Sequence, residues 1–225
     1  MTIDTDFAEW LGSHGLQVRR RVRVLMLLDA VDYAVLAPIS VQRFHTLAFL
    51  ADVLSPIFHL VPMSGKILKR RSFPYFPDLQ WEIDRLIGLD LVAPLELAPV
   101  VEESKAYVTF ALALQRTRSS PVLDAIYSES EFPVLRDYFR ELAGALSNIQ
   151  DADLDAVTRM DVTWDSGHAG AVIDYGEWRA RNYSKLGADR IEELAVQAFR
   201  NGGAQLSPTA KVNLYVRYLK RVASG

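Results

Sequence analysis

Val24-Leu25-Met26-Leu27-Leu28 is a run of five apolar residues set inside a helical periodicity. Val24, Leu28, Val31 and Val35 fall at i, i+4, i+7 and i+11, which gives a helix from about Arg19 to Ala37 one continuous apolar face. The run covers the other faces as well. A helix that is apolar all round must be enclosed by protein or by lipid. Lipid is excluded by length, because no apolar run approaches the roughly 20 residues that a membrane span needs. The chain must therefore bring other elements against this helix from several sides. With half of its 225 residues hydrophobic, it has the material to do so.

The flanking sequence supplies those elements. Ile3, Phe7, Trp10 and Leu11 are at helical spacing and predict a short amphipathic helix ended by Gly12 and Gly15. Pro38 closes the central helix, and Ser40 caps another that carries Phe44, Leu47, Ala48 and Leu54 and stops near Pro56. Pro77 suits the first position of a third helix, where its missing N–H has no partner to lose. Asp78 favours the positive end of that helix, Leu79, Ile83 and Leu86 form its buried stripe, and Gly88 marks its exit. Two strands follow, "LVAPLEL" and "AYVTFAL". In the second, Val108, Phe110 and Leu112 alternate with Tyr107, Thr109 and Ala111. Helix, helix, helix, hairpin is the order of a winged helix.

Beyond Arg118 the pattern changes. Ser120-Pro121 signals a helix start. Leu135, Tyr138, Phe139, Leu142 and Leu146 mark a further helix, and "DADLDAVTRM" a short acidic one. "DVTWDSGHAGAVIDYGEW" reads as a loop with one strand at residues 171–175. Two helices close the chain, the first with Ile191, Leu194, Ala195 and Ala198, the second starting at Ser207-Pro208 with Val212, Tyr215, Leu219 and Val222. The expected class is mainly α with minor β. A winged-helix-like domain with its small hairpin and N-terminal helix occupies residues 1–118, and a mainly helical region occupies 119–225.

Most catalytic chemistry fails on residue type. The absence of cysteine removes disulfides, thiolate zinc sites and cysteine nucleophiles. "SGKI" lacks the first glycine and the hydroxyl residue of a phosphate loop, with Leu60 and Ile67 at those positions. Asp151, Asp153 and Asp155 begin like a calcium loop, but Ala156 and Val162 stand where the glycine and the bidentate glutamate belong. His45, among Leu47, Ala48 and Phe49, reads as half-buried packing. His168 with Asp161, Asp165 and Asp174 reads as turn chemistry. Asp174 and Glu177 resemble a metal-nuclease pair, except that Arg179 replaces the lysine such a centre uses. No serine sits in a nucleophile elbow. The expectation is a non-enzyme with no cofactor and no metal.

Two binding candidates remain. Lys66, Lys69, Arg70 and Arg71 form a dense basic cluster suited to phosphate. Against a groove-reading role stand the carboxylates of the next helix, with Asp78, Glu82 and Asp84 expected on its exposed side, and Glu102 and Glu103 at the hairpin tip. Net charge is -3 and unevenly spread: residues 121–177 hold three Lys/Arg against twelve Asp/Glu, and residues 178–225 hold nine against three. The second candidate is a partner interface built on Trp164, Tyr175 and Trp178, with Phe7 and Trp10. "MTIDTDFAEWLG" lacks the basic and apolar regions of a signal peptide, so a cytoplasmic protein without membrane contact is expected.

"RFHTLAFLADVLSPIF", "GKILKRRSFPYFPDLQWEIDRLIGLDLV" and the later "VIDYGEW" with "NYS" resemble the middle component of ABC-three-component systems, bacterial defence operons that include the Lamassu type. The resemblance covers the first region and a short later patch. It implies a non-catalytic adaptor beside an SMC/Rad50-like ATPase and an effector, often a nuclease, in a complex that senses foreign DNA from phage or plasmid. It also implies double-stranded DNA contact, if any, within that complex. The residues alone leave a second reading open, a stand-alone winged-helix transcription regulator that binds DNA.

Overall fold

The computed structural model describes residues 3–63, 66–69, 73–102, 105–147, 149, 170–174 and 206–224. For 3–14, 102, 105, 106 and 222–224 only the backbone is described. The order is α1 (Ile3–Tyr33), β1 (Ile39–Ser40), α2 (Val41–Leu54), a 3-10 turn (Ser55–Phe58), β2 (Lys66–Lys69), β3 (Pro74–Tyr75), α3 (Pro77–Gly88), β4 (Val92–Glu102), β5 (Lys105–Leu114), α4 (Arg116–Ser128), α5 (Pro133–Leu146), β6 (Val172–Asp174) and α6 (Pro208–Ser224). The described residues are mainly α-helix with two small antiparallel sheets. No described helix is long and apolar enough to cross a membrane.

The enclosure demanded by the Val24–Leu28 run is met. All five side chains are buried, and α3, α4, α5 and β5 pack around α1. Leu27, Leu47, Ile83, Leu142 and Val212 belong to one continuous core, so residues on both sides of position 118 contribute to it. Tyr138 of α5 donates to the Ala51 carbonyl of α2 at 2.6 Å. The Arg43 guanidinium bonds the Ile149 carbonyl at 3.1 Å.

α1 corrects two expectations. Gly12 and Gly15 do not end a helix; the chain runs through them for 31 residues. Glycine weakens a helix without stopping it, and propagation from the packed C-terminal half is cheap once the helix exists. A β-carbon at Gly15 would meet nothing within 4 Å. Gly15→Ala is therefore expected to stabilise the protein by about 0.5–1 kcal/mol, read as a raised thermal midpoint. The helix also stops at Tyr33, short of Ala37. Val35 turns left-handed at φ 58. Its N–H bonds the Asp32 carbonyl at 3.0 Å, and the Leu36 N–H bonds that of Val31 at 2.9 Å. This closing motif normally takes glycine. Val35 is 88% exposed, so its side chain gains little to offset the strain. Val35→Gly should add about 1 kcal/mol, measured by denaturant unfolding.

α2 begins as expected, with the Ser40 hydroxyl accepting from the Arg43 N–H at 3.2 Å. Ile39 and Ser40 also pair with Leu112 and Ala111, which makes the hairpin part of a three-stranded sheet ordered β1-β5-β4. The second sheet is ordered β3-β2-β6, so the strand expected at 171–175 is present as Val172–Asp174. α4 starts at Arg116, one turn before the expected Ser120, and Pro121 sits within it. Leu135, Tyr138, Phe139, Leu142 and Leu146 are buried on α5, as are Val212, Tyr215 and Leu219 on α6. The Ser207 hydroxyl caps α6 through the Ala210 N–H at 3.2 Å. The expected acidic helix at 151–160 and the helix carrying Ile191 lie outside the described residues.

Candidate protein-interaction surface

α3 forms where Pro77 and Asp78 start it and Leu79, Ile83 and Leu86 bury its core side. The helix ends at Gly88, as expected, and Asp90 two residues further on takes the left-handed conformation at φ 58. Glu82, expected on the exposed side, is 2% exposed. It is enclosed because α1 brings Arg21 to 2.8 Å and Arg85, one turn along α3 itself, lies at 3.1 Å. Arg20 of α1 meets Asp78 at 3.3 Å, and Arg85 reaches Gln17 at 3.3 Å. A polar seam thus clamps α3 onto α1 and fixes which side faces outward.

That outward side carries Trp81, 66% exposed, with Asp78, Asp84 and Gly88. The Arg85 guanidinium lies 6.0 Å from the Trp81 ring centre. Asp84 accepts from Gln80 Nε2 at 2.8 Å. Sequence reasoning missed Trp81. Its position was legible, since it lies off the Leu79–Ile83–Leu86 stripe, where a large apolar side chain has no core to enter. A broad indole with one polar N–H, rimmed by carboxylates and an arginine, is suited to protein contact.

Lys66 and Lys69 of the basic cluster lie at the two ends of strand β2. On β2, Ile67 is buried and Lys66 exposed. β6 sets Asp174 opposite Lys66, and Ile173 opposite Ile67. Lys69 is half-buried; its N–H bonds the Ala171 carbonyl at 2.9 Å, and its carbonyl accepts from Gly170 at 2.7 Å. Arg70 and Arg71 lie outside the described residues, as do Trp164, Tyr175 and Trp178. Phe7 and Trp10 are on the first half of α1, described by backbone alone.

The other arginines of α1 hold the chain together. Arg23 Nη1 donates to the Val61 carbonyl at 2.8 Å and the Pro62 carbonyl at 3.3 Å. Arg20 Nε reaches the Met63 carbonyl at 3.3 Å. Asp52, buried in α2, accepts the Met63 N–H at 2.5 Å. Burial lowers the Arg23 pKa, with Arg19 adding to the effect and Asp52 opposing it.

A second polar cluster anchors the foot of the hairpin. Arg116, two residues past β5, bonds Asp29 at 2.8 Å and also Asp32. Tyr127 donates to Asp29 at 2.7 Å, and Arg140 approaches Asp29 at 3.4 Å with its guanidinium 4.4 Å from the Tyr33 ring centre. Burial alone would raise the Asp29 pKa, but the hydrogen bonds from Tyr127 and Arg116 and the nearby cations outweigh it and hold the carboxyl below its ordinary value. Burial and the Asp29 charge push Tyr127 upward. His45 is fully buried, not half-buried, and bonds α3. Among the described residues no three His, Asp or Glu side chains cluster as a metal site would require. No family model, curated protein or solved structure matches the chain.

Proposed function

We propose that this chain is a winged-helix adaptor, a non-catalytic cytoplasmic subunit that links an SMC/Rad50-like ATPase to an effector in a bacterial defence complex of the ABC-three-component, Lamassu type. The observation that carries the protein-facing part is the exposed side of α3. In a winged helix that reads DNA, this third helix enters the major groove. Here it presents Trp81 between Asp78 and Asp84. Carboxylates repel phosphates, and an exposed indole suits a protein partner. The element order and the β1-β5-β4 sheet support the winged-helix reading. The defence role comes from the sequence resemblance, and the non-catalytic role from the failed motifs. Lys66 and Lys69 with Arg70 and Arg71 are then an auxiliary contact to DNA backbone within the complex.

The test is co-expression with an SMC-like ATPase encoded beside this chain. The two should co-purify, and Trp81→Ala should weaken the complex by about tenfold. Because Trp81 is mostly exposed, the thermal midpoint of the isolated subunit should barely move. A solitary chain that binds a palindromic operator would instead establish the transcription-regulator reading.

A further inference from the structure

The two flanks of Trp81 on α3 differ in charge. At about 100° per residue, Asp84 lies about 60° to one side of Trp81, with Pro77 and Gly88 between them. Arg85 and Asp78 lie about 40° and 60° to the other side. The charges on that second side have partners within the protein. Asp78 meets Arg20 at 3.3 Å. Arg85 bonds Glu82 Oε1 at 3.1 Å and Gln17 at 3.3 Å, and Arg21 holds Glu82 Oε2 at 2.8 Å. Past the end of the helix, Asp90 meets Arg118 at 3.0 Å. Asp84 is the exception. Its Oδ1 accepts from the neutral Gln80 amide at 2.8 Å, and among the described residues no cation comes within ion-pair distance of it. Gln80 is itself held, with its Oε1 3.1 Å from Nε2 of the buried His45. A chain of bonds from the core thus fixes the Asp84 carboxylate, while its Oδ2 accepts nothing from the described residues. The surface beside it is open. Trp81 is 66% exposed, and a β-carbon added at Gly88 would meet nothing within 4 Å.

We infer that the Asp84 side of Trp81 receives an arginine side chain of a protein partner, its guanidinium laid on the indole and hydrogen-bonded to the Asp84 carboxylate; this rests on the reading of α3 as a protein-facing helix. The chemistry of the flank selects the occupant. A carboxylate or phosphate would meet Asp84 as a like charge. An apolar side chain would cover the indole but strip water from the carboxylate and give nothing in return. A cation serves both groups, because the negative face of the indole attracts it and the carboxylate bonds it. Arginine fits better than lysine. Its planar fork lies flat on a ring while the N–H groups at its edge donate to a carboxylate beside that ring, whereas an ammonium is a compact point charge. The position of Asp84 is set before the partner arrives, through Gln80 and His45, so little ordering is left to oppose binding.

The test uses the full chain and fluorescent helical peptides that differ only at two exposed positions, filled by arginine, lysine or glutamine. The arginine peptide should bind at least about tenfold more tightly than the glutamine peptide, with lysine between them. Asp84→Asn and Trp81→Ala should each weaken the arginine peptide by about tenfold. Asp78→Asn, at a carboxylate already paired with Arg20, should change it by less than about threefold. Asparagine at position 84 keeps an oxygen for Gln80, so the thermal midpoint of that variant should match the native one. Absence of binding, equal binding of the arginine and glutamine peptides, or binding that Asp84→Asn leaves unchanged would overturn the inference. An equal loss on Asp78→Asn would also overturn it, since general negative charge would then be the cause. So would a dimer of the native chain that Asp84→Asn dissolves, which would mark a second copy as the source of the cation. Co-purification separates this inference from the adaptor reading. If the neighbouring ATPase binds native and Asp84→Asn chains alike but is lost on Trp81→Ala, the arginine contact is wrong and the adaptor stands. If no neighbour binds while the arginine peptide does so through Asp84, the adaptor falls and the contact stands.

Discussion

Asp29→Asn should cost about 3–5 kcal/mol, the range for removing one member of a buried ion pair. In a chain of this size that lowers the thermal midpoint by roughly 10 °C. Asp29 is 6% exposed and is the shared acceptor for Arg116, Tyr127 and Arg140. Asparagine keeps the shape and one acceptor but removes the charge that Arg116 and Arg140 face. Both arginines are partly exposed, at 43% and 32%, so solvent relieves part of the loss and the lower end of the range is expected. The pH dependence has a definite sign. The folded-state pKa of Asp29 is depressed below its unfolded value. Its contribution is therefore complete above the unfolded value of about 3.9 and lost as pH falls through the lower folded value. The stability gap between native protein and variant should be full at neutral pH and shrink only in the acid arm. A gap that stayed constant to the lowest accessible pH would mean that the charge of Asp29 is not what matters. Because Arg116 follows β5 directly, the variant should also loosen the foot of the hairpin, seen as faster amide exchange at Val92 and Leu114, which pair there.

What the sequence made legible were patterns local to one element. The stripes Leu79–Ile83–Leu86, Leu135–Tyr138–Phe139–Leu142–Leu146 and Val212–Tyr215–Leu219 are buried as their spacing requires. Ser40 and Pro77 start their helices. What was not legible depends on residues far apart. Glu82 is indistinguishable in sequence from an exposed helical carboxylate; its burial follows from Arg21, 61 positions away. The basic segment Lys66–Lys69 becomes a strand between β3 and a strand more than a hundred residues later. Alternation placed Val108 correctly on the face of Phe110 and Leu112. Its exposure, however, depends on where the body of the protein ends, which alternation does not encode. The bulge in β4 at Glu96, where the ladder slips between Leu95 and Ala98, has no glycine to announce it. Trp81 is the reverse case, a residue whose exposure its own helix already implied.

His45→Ala should cost about 2–4 kcal/mol, combining a buried cavity with a lost hydrogen-bond partner. The ring is fully buried among Phe73, Tyr75 and Phe76, with centroid distances of 6.2, 4.9 and 6.1 Å. Its two nitrogens have different duties. The Phe76 N–H donates to Nδ1 at 3.2 Å, which makes Nδ1 the acceptor. Nε2 then carries the proton and donates to Gln80 Oε1 at 3.1 Å. Phe76 is the N-cap residue of α3 and supplies no side-chain cap of its own, so His45 of α2 fixes the entry of α3 from outside the helix. Gln80 carries the chain of bonds on to Asp84, on the exposed side beside Trp81. The replacement should therefore affect both stability and the presentation of the interaction face. His45→Asn offers an oxygen close to the Nδ1 position, keeps the acceptor for Phe76, and loses ring packing and the Gln80 bond. It should recover roughly 1 kcal/mol relative to alanine, the value of the restored hydrogen bond. Equal denaturation midpoints for the two variants would show that ring packing alone accounts for the role of His45. A partial rescue by asparagine, matched by partial recovery of partner binding, would show that the bond to Phe76 sets the position of α3.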